Sequence, residues 1–199
     1  MDNDNEIIIG DAVAADAPVI ADAILAAVGD EITMHLAGES HTRRDVHAIF
    51  ARLAAREDSQ YSYLNTRVAR TPSGEVAGVC ISYDGVRLRQ LRRSFFAEAN
   101  AVLGWGMTAD EIEALPGETT PDEFYLDTLM TLPAYRRRGI GESLISDAAR
   151  KAAAAGKPLG LLCDLDNDAA RRLYERAGFR LRGQRPFANH LMNHFQLPT

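Results

Sequence analysis

One passage constrains this chain more than any other. An apolar, strand-like run ends at Thr131-Leu132-Pro133, a basic glycine-bearing turn follows, Arg136-Arg137-Arg138-Gly139-Ile140-Gly141, and then a long amphipathic helix. A strand handed to a helix through such a turn makes an anion site. The first N–H groups of a helix have no partner inside it, and the helix dipole favours negative charge there. Gly139 and Gly141 let a bulky phosphate approach the backbone, and three arginines add attraction. On these residues alone, a solvated basic helix start without a ligand also fits. No G-x-x-x-x-G-K-[ST] phosphate loop occurs in the chain. A dinucleotide fingerprint would need glycine where Leu144 stands.

The elements around this passage alternate. Glu6 to Gly10 reads as a buried strand. A helix follows, capped by Asp16 with Pro18 in its first turn, and with Ile20, Ala23, Ile24 and Ala27 on one face. Thr42 opens a second helix carrying Val46, Ile49, Phe50 and Leu53. Tyr61–Ala69 and Glu75–Tyr83 flank the turn Thr71-Pro72-Ser73-Gly74 as a hairpin. A helical insert follows at about 84–122, with Leu88, Leu91, Phe95, Ala99 and Val102 on one face. Glu123–Thr131 is a strand, Gly139–Ala155 a helix, Leu159–Leu165 a strand and Asn167–Ala177 a helix. Phe179–Gly183 and His190–Leu197 form a last hairpin. The pattern predicts one α/β (α+β) domain over 1–199, a sheet with helices on both faces.

Composition narrows the function classes. With 46% hydrophobic and 25% charged residues, the chain is neither polar enough for disorder nor apolar enough to enter a membrane. A net charge of −6 argues against nucleic-acid affinity and slightly favours a cationic substrate. The start Met1-Asp2-Asn3-Asp4-Asn5-Glu6 has neither the basic end nor the apolar run of a secretory signal, so a cytoplasmic protein is expected. Cys80 and Cys163 lie in apolar segments and read as buried, inert thiols. His190 and His194 fall on a strand, too far apart to clamp one ion, which points to surface or substrate-pocket roles and no metal.

Pro133-x-x-Arg136-x-x-Gly139-x-Gly141 resembles motif A of the GNAT superfamily of N-acetyltransferases. Asn167-x-x-Ala170-x-x-Leu173-Tyr174-Glu175-x-x-Gly178-Phe179 resembles its motif B, one helix and one strand further on. The specific motifs cover roughly Phe124 to Phe179. The resemblance implies a mostly antiparallel mixed sheet, splayed at a cofactor slot. It implies acetyl-CoA as co-substrate, without a metal, and a small-molecule or peptide amine as acceptor. Backbone N–H groups from Arg137 through Arg138, Gly139, Ile140 and Gly141 to Glu142 would cradle the pyrophosphate, with Arg136 holding the turn. Leu129, Met130 and Thr131 would pair with the pantetheine arm. Asn167 would contact that arm or cap its helix, and Ala170 and Leu173 would line the channel or simply belong to the core.

The chemistry needs a base, because an ammonium cannot attack a thioester. It needs a donor for the developing oxyanion and an acid for the departing thiolate. The resemblance offers Tyr174 as the acid, and the N–H of Met130 is the candidate oxyanion donor. Some relatives carry a glutamate at the position of Tyr125. Here Asp127, two residues on and on the same strand face, is the candidate base or substrate contact. Asp122 and Glu123 read as loop charges. His35, Glu39 and His41 fall in the loop after the first helix. The insert is expected to cover the acceptor cleft or to form a homodimer contact. An acyl-CoA-binding regulator without activity is the alternative reading.

Overall fold

The computed structural model describes residues 7–187 and 190–198. Seven strands form one sheet in the order β1-β2-β3-β4-β5-β7-β6. They are β1 (Ile8–Asp11), β2 (Thr66–Arg70), β3 (Val76–Asp84), β4 (Phe124–Thr131), β5 (Leu159–Asp164), β6 (Arg180–Phe187) and β7 (His190–Leu197). Every neighbouring pair is antiparallel except β4 and β5.

Helices cover both faces. On one side α1 (Ala17–Ala37) and α2 (Arg43–Ala54) bury Ile20, Ile24, Ile49, Phe50 and Leu53 against Val79, Ile81 and Tyr83 of β3. On the other, α6 (Ile140–Ala154) and α7 (Asp168–Arg176) bury Leu144, Ile145, Ala148 and Tyr174 against Cys80, Leu126 and Leu161. The i, i+4 spacing of Ile140, Leu144 and Ala148 produces that stripe. Gly78 lets α6 lie close, since a Cβ there would come 2.9 Å from Ile140 Cγ2.

Several local expectations change. Ala27 is exposed, so the buried face of α1 is instead Ile20, Ala21, Ala23, Ile24 and Leu25. The helix is broken at Gly29, whose φ is 78°. Asp16 does not cap α1. Its carboxylate accepts the N–H of Val13 at 2.8 Å and pairs with Arg70, closing the preceding turn. His35 is helical and exposed rather than in a loop. β2 starts at Thr66, because Tyr63–Asn65 is a 3-10 turn held by the Asn65 side chain on the carbonyls of Ser59 and Gln60.

The insert is not one long helix. It comprises α3 (Leu88–Leu91), α4 (Arg93–Glu98), a π-turn (Ala99–Leu103) and α5 (Ala109–Ala114). Leu88, Leu91 and Ala99 are buried as expected. Phe95 stacks on Phe50 at 5.9 Å and meets Trp105 edge-on at 5.8 Å, which fastens the insert to α2. Arg92 is buried and donates to the carbonyls of Ile112, Leu115 and Pro116, gripping the C-terminal end of α5.

Candidate active site

The turn before α6 is built for an anion. Arg137 has φ 61° and Gly139 φ 75°, so backbone N–H groups are turned into a concave nest. Side chains close the N-termini of α2, α5 and α7, through Thr42, Thr108 and Asn167. No side chain among the described residues closes α6, which leaves its first N–H groups for a ligand. Two of the three arginines, though exposed, bond to backbone carbonyls of the turn and the strand end before it. Arg136 Nε donates to Thr131 O at 3.3 Å. Arg138 donates to Ala134 O at 3.2 Å and lies over the Tyr135 ring. Leu173 flanks Gly141, whose missing Cβ would sit 3.5 Å from Leu173 Cδ2. Asn167 Oδ1 accepts the N–H of Ala170 at 3.0 Å, so Asn167 caps α7. Ala170 and Leu173 pack against the buried cluster under α6 and α7.

β4 is the second component. It pairs with β5 only through Phe124–Leu159 and Tyr125–Gly160. From Leu126 to Thr131 its β5 side is open. Against β3 the register slips: Ser82 faces Leu126, Ile81 faces Thr128, and Asp127 has no counterpart. This is a β-bulge, and it re-phases the strand. Before it, Phe124 N–H goes to Pro158 on the β5 side, while Gly85 N–H goes to Glu123 O on the β3 side. After it, Leu132 N–H goes to Ala77 O at 2.9 Å. Opposed residues alternate between bonded and non-bonded pairs, so Met130 is bonded to Val79. Its N–H is therefore spent inside the sheet and does not face the slot. The N–H groups of Leu129 and Thr131 point toward the opening instead.

Asp127 lies on the α1/α2 face, with Tyr83 and Tyr125. Its carboxylate accepts Tyr83 Oη at 2.9 Å and Thr128 Oγ1 at 2.9 Å. The insert brings Glu118 to the same phenol: Tyr83 Oη lies 3.3 Å from Glu118 Oε1, which also accepts Gln60 Nε2 at 3.1 Å. Burial first, and then the Glu118 charge, push Asp127 up to about 7. Burial also raises Glu118. Tyr61, Tyr83 and Tyr125 wall this site, all pushed well upward by burial and by these carboxylates, so the three phenols stay neutral.

Tyr174 lies on the opposite face. Its ring is set by Phe179 at 5.6 Å and Phe195 at 6.5 Å. Burial, followed by Cys163 on β5 and Cys80 on β3, raises its pKa, so the phenol stays protonated. Those two strands flank β4, which places Tyr174 over its open stretch. Cys80 and Cys163 are buried and free, pushed up to about 12 and about 11 chiefly by burial, and are inert at neutral pH.

Besides Met130, two residues depart from their sequence reading. Glu123 is fully buried rather than a loop charge. It accepts Thr119 Oγ1 at 2.8 Å, lies 2.9 Å from His194 Nε2 and pairs with Arg185. His194 is accordingly buried rather than at the surface or in a substrate pocket. Burial opposes the charge on Glu123, but these donors outweigh it and hold its carboxyl below the usual range. Glu118 was missed altogether. Its one sequence clue is an acidic residue next to Gly117 at the end of the insert.

An open-edged strand, a nest at an uncapped helix start and polar groups on both faces of the gap fit a long phosphate-bearing ligand. The comparisons name the class: the model of the acetyltransferase (GNAT) family matches residues 35–179, and the chain belongs to that family. Among solved structures it resembles an acetyltransferase at 28% identity, covering 96% of this chain and 98% of that one with a TM-score of 0.73. It resembles an N-acetyltransferase from Staphylococcus aureus Mu50 at 25% identity, covering 96% and 100%, with a TM-score of 0.77. A Corynebacterium glutamicum protein described as a histone acetyltransferase HPA2 and related acetyltransferase shares the fold at 19% identity, covering 97% of each chain, with a TM-score of 0.64. No curated protein matches the sequence. Among the described residues no helix is long and apolar enough to cross a membrane, and no side-chain group is arranged to hold a metal ion.

Proposed function

We propose that this protein transfers the acetyl group of acetyl-CoA to a primary amine by direct attack, with Asp127 as the base. The observation that carries the reading is the placement of Asp127 on the bulge, with its carboxyl raised to about 7. A base works best when its pKa lies near the working pH, and an unperturbed aspartate near 4 would be too weak to take a proton from an ammonium.

Acetyl-CoA fits the observed features: the uncapped nest from Arg137 to Glu142 suits its pyrophosphate, and the open side of β4 at Leu129 and Thr131 suits the amides of its pantetheine arm. It supplies the electrophilic acyl carbon. Asp127 accepts the proton of the incoming ammonium from the α1/α2 face. The N–H of Leu129, in place of that of Met130, is aimed to hold the oxygen on which negative charge develops. Tyr174, on the other face and protonated throughout, donates to the departing sulfur. The insert, fastened by Phe95 and Arg92, covers the acceptor side.

A thiol-release assay with acetyl-CoA across a panel of primary amines tests the proposal. Release with at least one amine is expected, with log kcat/KM rising with pH and levelling above about 7. Asp127→Asn should remove that rising limb. Tight coenzyme A binding with no release on any amine would favour an acyl-CoA-binding regulator instead.

A further inference from the structure

We propose that Glu118, delivered by the insert, is a positioning residue for Asp127, the two carboxylates sharing the one hydroxyl proton of Tyr83 so that the insert sets how the strand carboxylate awaits its own proton. This rests on the reading of Asp127 as the base.

The geometry is a three-membered chain. Tyr83 Oη is 2.9 Å from Asp127 Oδ2 and 3.3 Å from Glu118 Oε1. A phenol has one proton and can serve one of them at a time. Thr128 Oγ1 is a second donor to Asp127, and Gln60, whose Nε2 donates to Glu118 Oε1 at 3.1 Å, also bears on Asp127. Four separate parts of the chain meet here, namely β3, the bulge of β4, the segment after α2 and the insert.

The other buried carboxylates provide a comparison. Asp16 is paired with Arg70, Asp147 with Arg67 and Arg150, and Glu123 with Arg185 and His194. Among the described residues Glu118 and Asp127 have no such cation. Arg92 is the positive charge that reaches Glu118, but its guanidinium donates to three carbonyls of the insert. The remaining groups bearing on Asp127 are neutral: Tyr61 on the segment after α2, Tyr83 on β3, Tyr125 on β4 and, across the sheet, Cys80. Two carboxylates in such surroundings do not both ionise freely, and they titrate as a pair.

The pair then works as a hand-over. When the ammonium N–H bond breaks, nitrogen keeps the electron pair and the proton forms an O–H bond on Asp127. Asp127 no longer needs the Tyr83 hydrogen bond, and the hydroxyl turns to Glu118. The phenol neither gains nor loses a proton. The charge that remains, on Glu118, is then held by both Tyr83 and Gln60.

The pH dependence of kcat/KM in the full-length chain tests this, using whichever amine supports thiol release. Glu118→Gln removes the like charge and should move the rising limb down by about one pH unit, with coenzyme A affinity unchanged. Tyr83→Phe removes a donor to ionised Asp127 and should move the limb up. Opposite displacements are not expected of two residues that merely hold the fold. A limb left in place by Glu118→Gln, yet abolished by Asp127→Asn, would overturn the role of Glu118. A limb surviving Asp127→Asn would instead overturn the reading of Asp127 as the base. Should Glu118→Gln not fold, the 13C carboxyl resonance of Asp127 in the unaltered protein carries the test. Two inflections are expected, and a single independent one overturns the proposal.

Discussion

Gly139 occupies the left-handed region at φ 75°, and a Cβ built there meets nothing within 4 Å. A side chain at this position therefore leaves the packing alone, costs about 1 kcal/mol of backbone strain and projects into the nest. Gly139→Asp should leave the circular dichroism spectrum unchanged. It should weaken coenzyme A binding by about 100-fold or more, because facing like charges cost several kcal/mol. Unchanged affinity by calorimetry would mean that the pyrophosphate lies elsewhere. This turn was legible in the sequence because all its determinants lie within a few residues of one another. The proposed base site was less so. Glu118 meets Gln60 and Tyr83, residues 58 and 35 positions away, and no local spacing announces such a meeting. Glu123 looked like a loop charge because its partners Arg185 and His194 come from the last hairpin.

At the scale of elements, a single extra residue in β4 decides which backbone groups the slot presents. Met130 was the candidate donor from the sequence, but the bulge at Asp127 shifts the alternation and presents Leu129 and Thr131. A bulge has no side-chain signature of its own here, so the correct phase needed the partner strand. The amphipathic stripe of α6 was legible because its apolar residues repeat at helical spacing. The insert was legible as helical, but its division into short pieces depends on tertiary contacts, above all the grip of buried Arg92 on the end of α5. That grip carries a prediction. Arg92→Ala would strand three carbonyls and should cost about 2–3 kcal/mol in urea unfolding. Since the 112–116 segment leads into Glu118, turnover should fall as well. Coenzyme A affinity should hold, because the nest at α6 lies on the other side of the sheet. A loss of affinity equal to the loss of turnover would show that the insert supports the whole domain rather than the acceptor side.

For the whole molecule, two buried carboxyl systems oppose each other as pH changes. Glu123 has a lowered pKa, so its contribution is present above its unfolded value and is lost as pH falls through the folded one. Asp127 is raised from 3.8 to about 7, so its contribution is complete below the unfolded value and is lost as pH rises through about 7. The surroundings that raise Asp127 to about 7, as the proposed base requires, thus destabilise the fold near neutral pH. A carboxyl moved that far carries at most about 4 kcal/mol of pH dependence. Asp127→Asn removes the ionisation while keeping an acceptor for Tyr83. Relative to the unaltered protein, its thermal midpoint should rise progressively between about pH 4 and pH 7 and level off above, while its acetyl transfer is lost. Glu123→Gln should behave in the opposite way, losing stability at pH 7 and approaching the unaltered protein as the pH drops below 4. If the difference for Asp127→Asn stays flat from about pH 4 to pH 7, the carboxylate is not held in a destabilised charged state. The trade of stability for basicity at the bulge would then have to be abandoned.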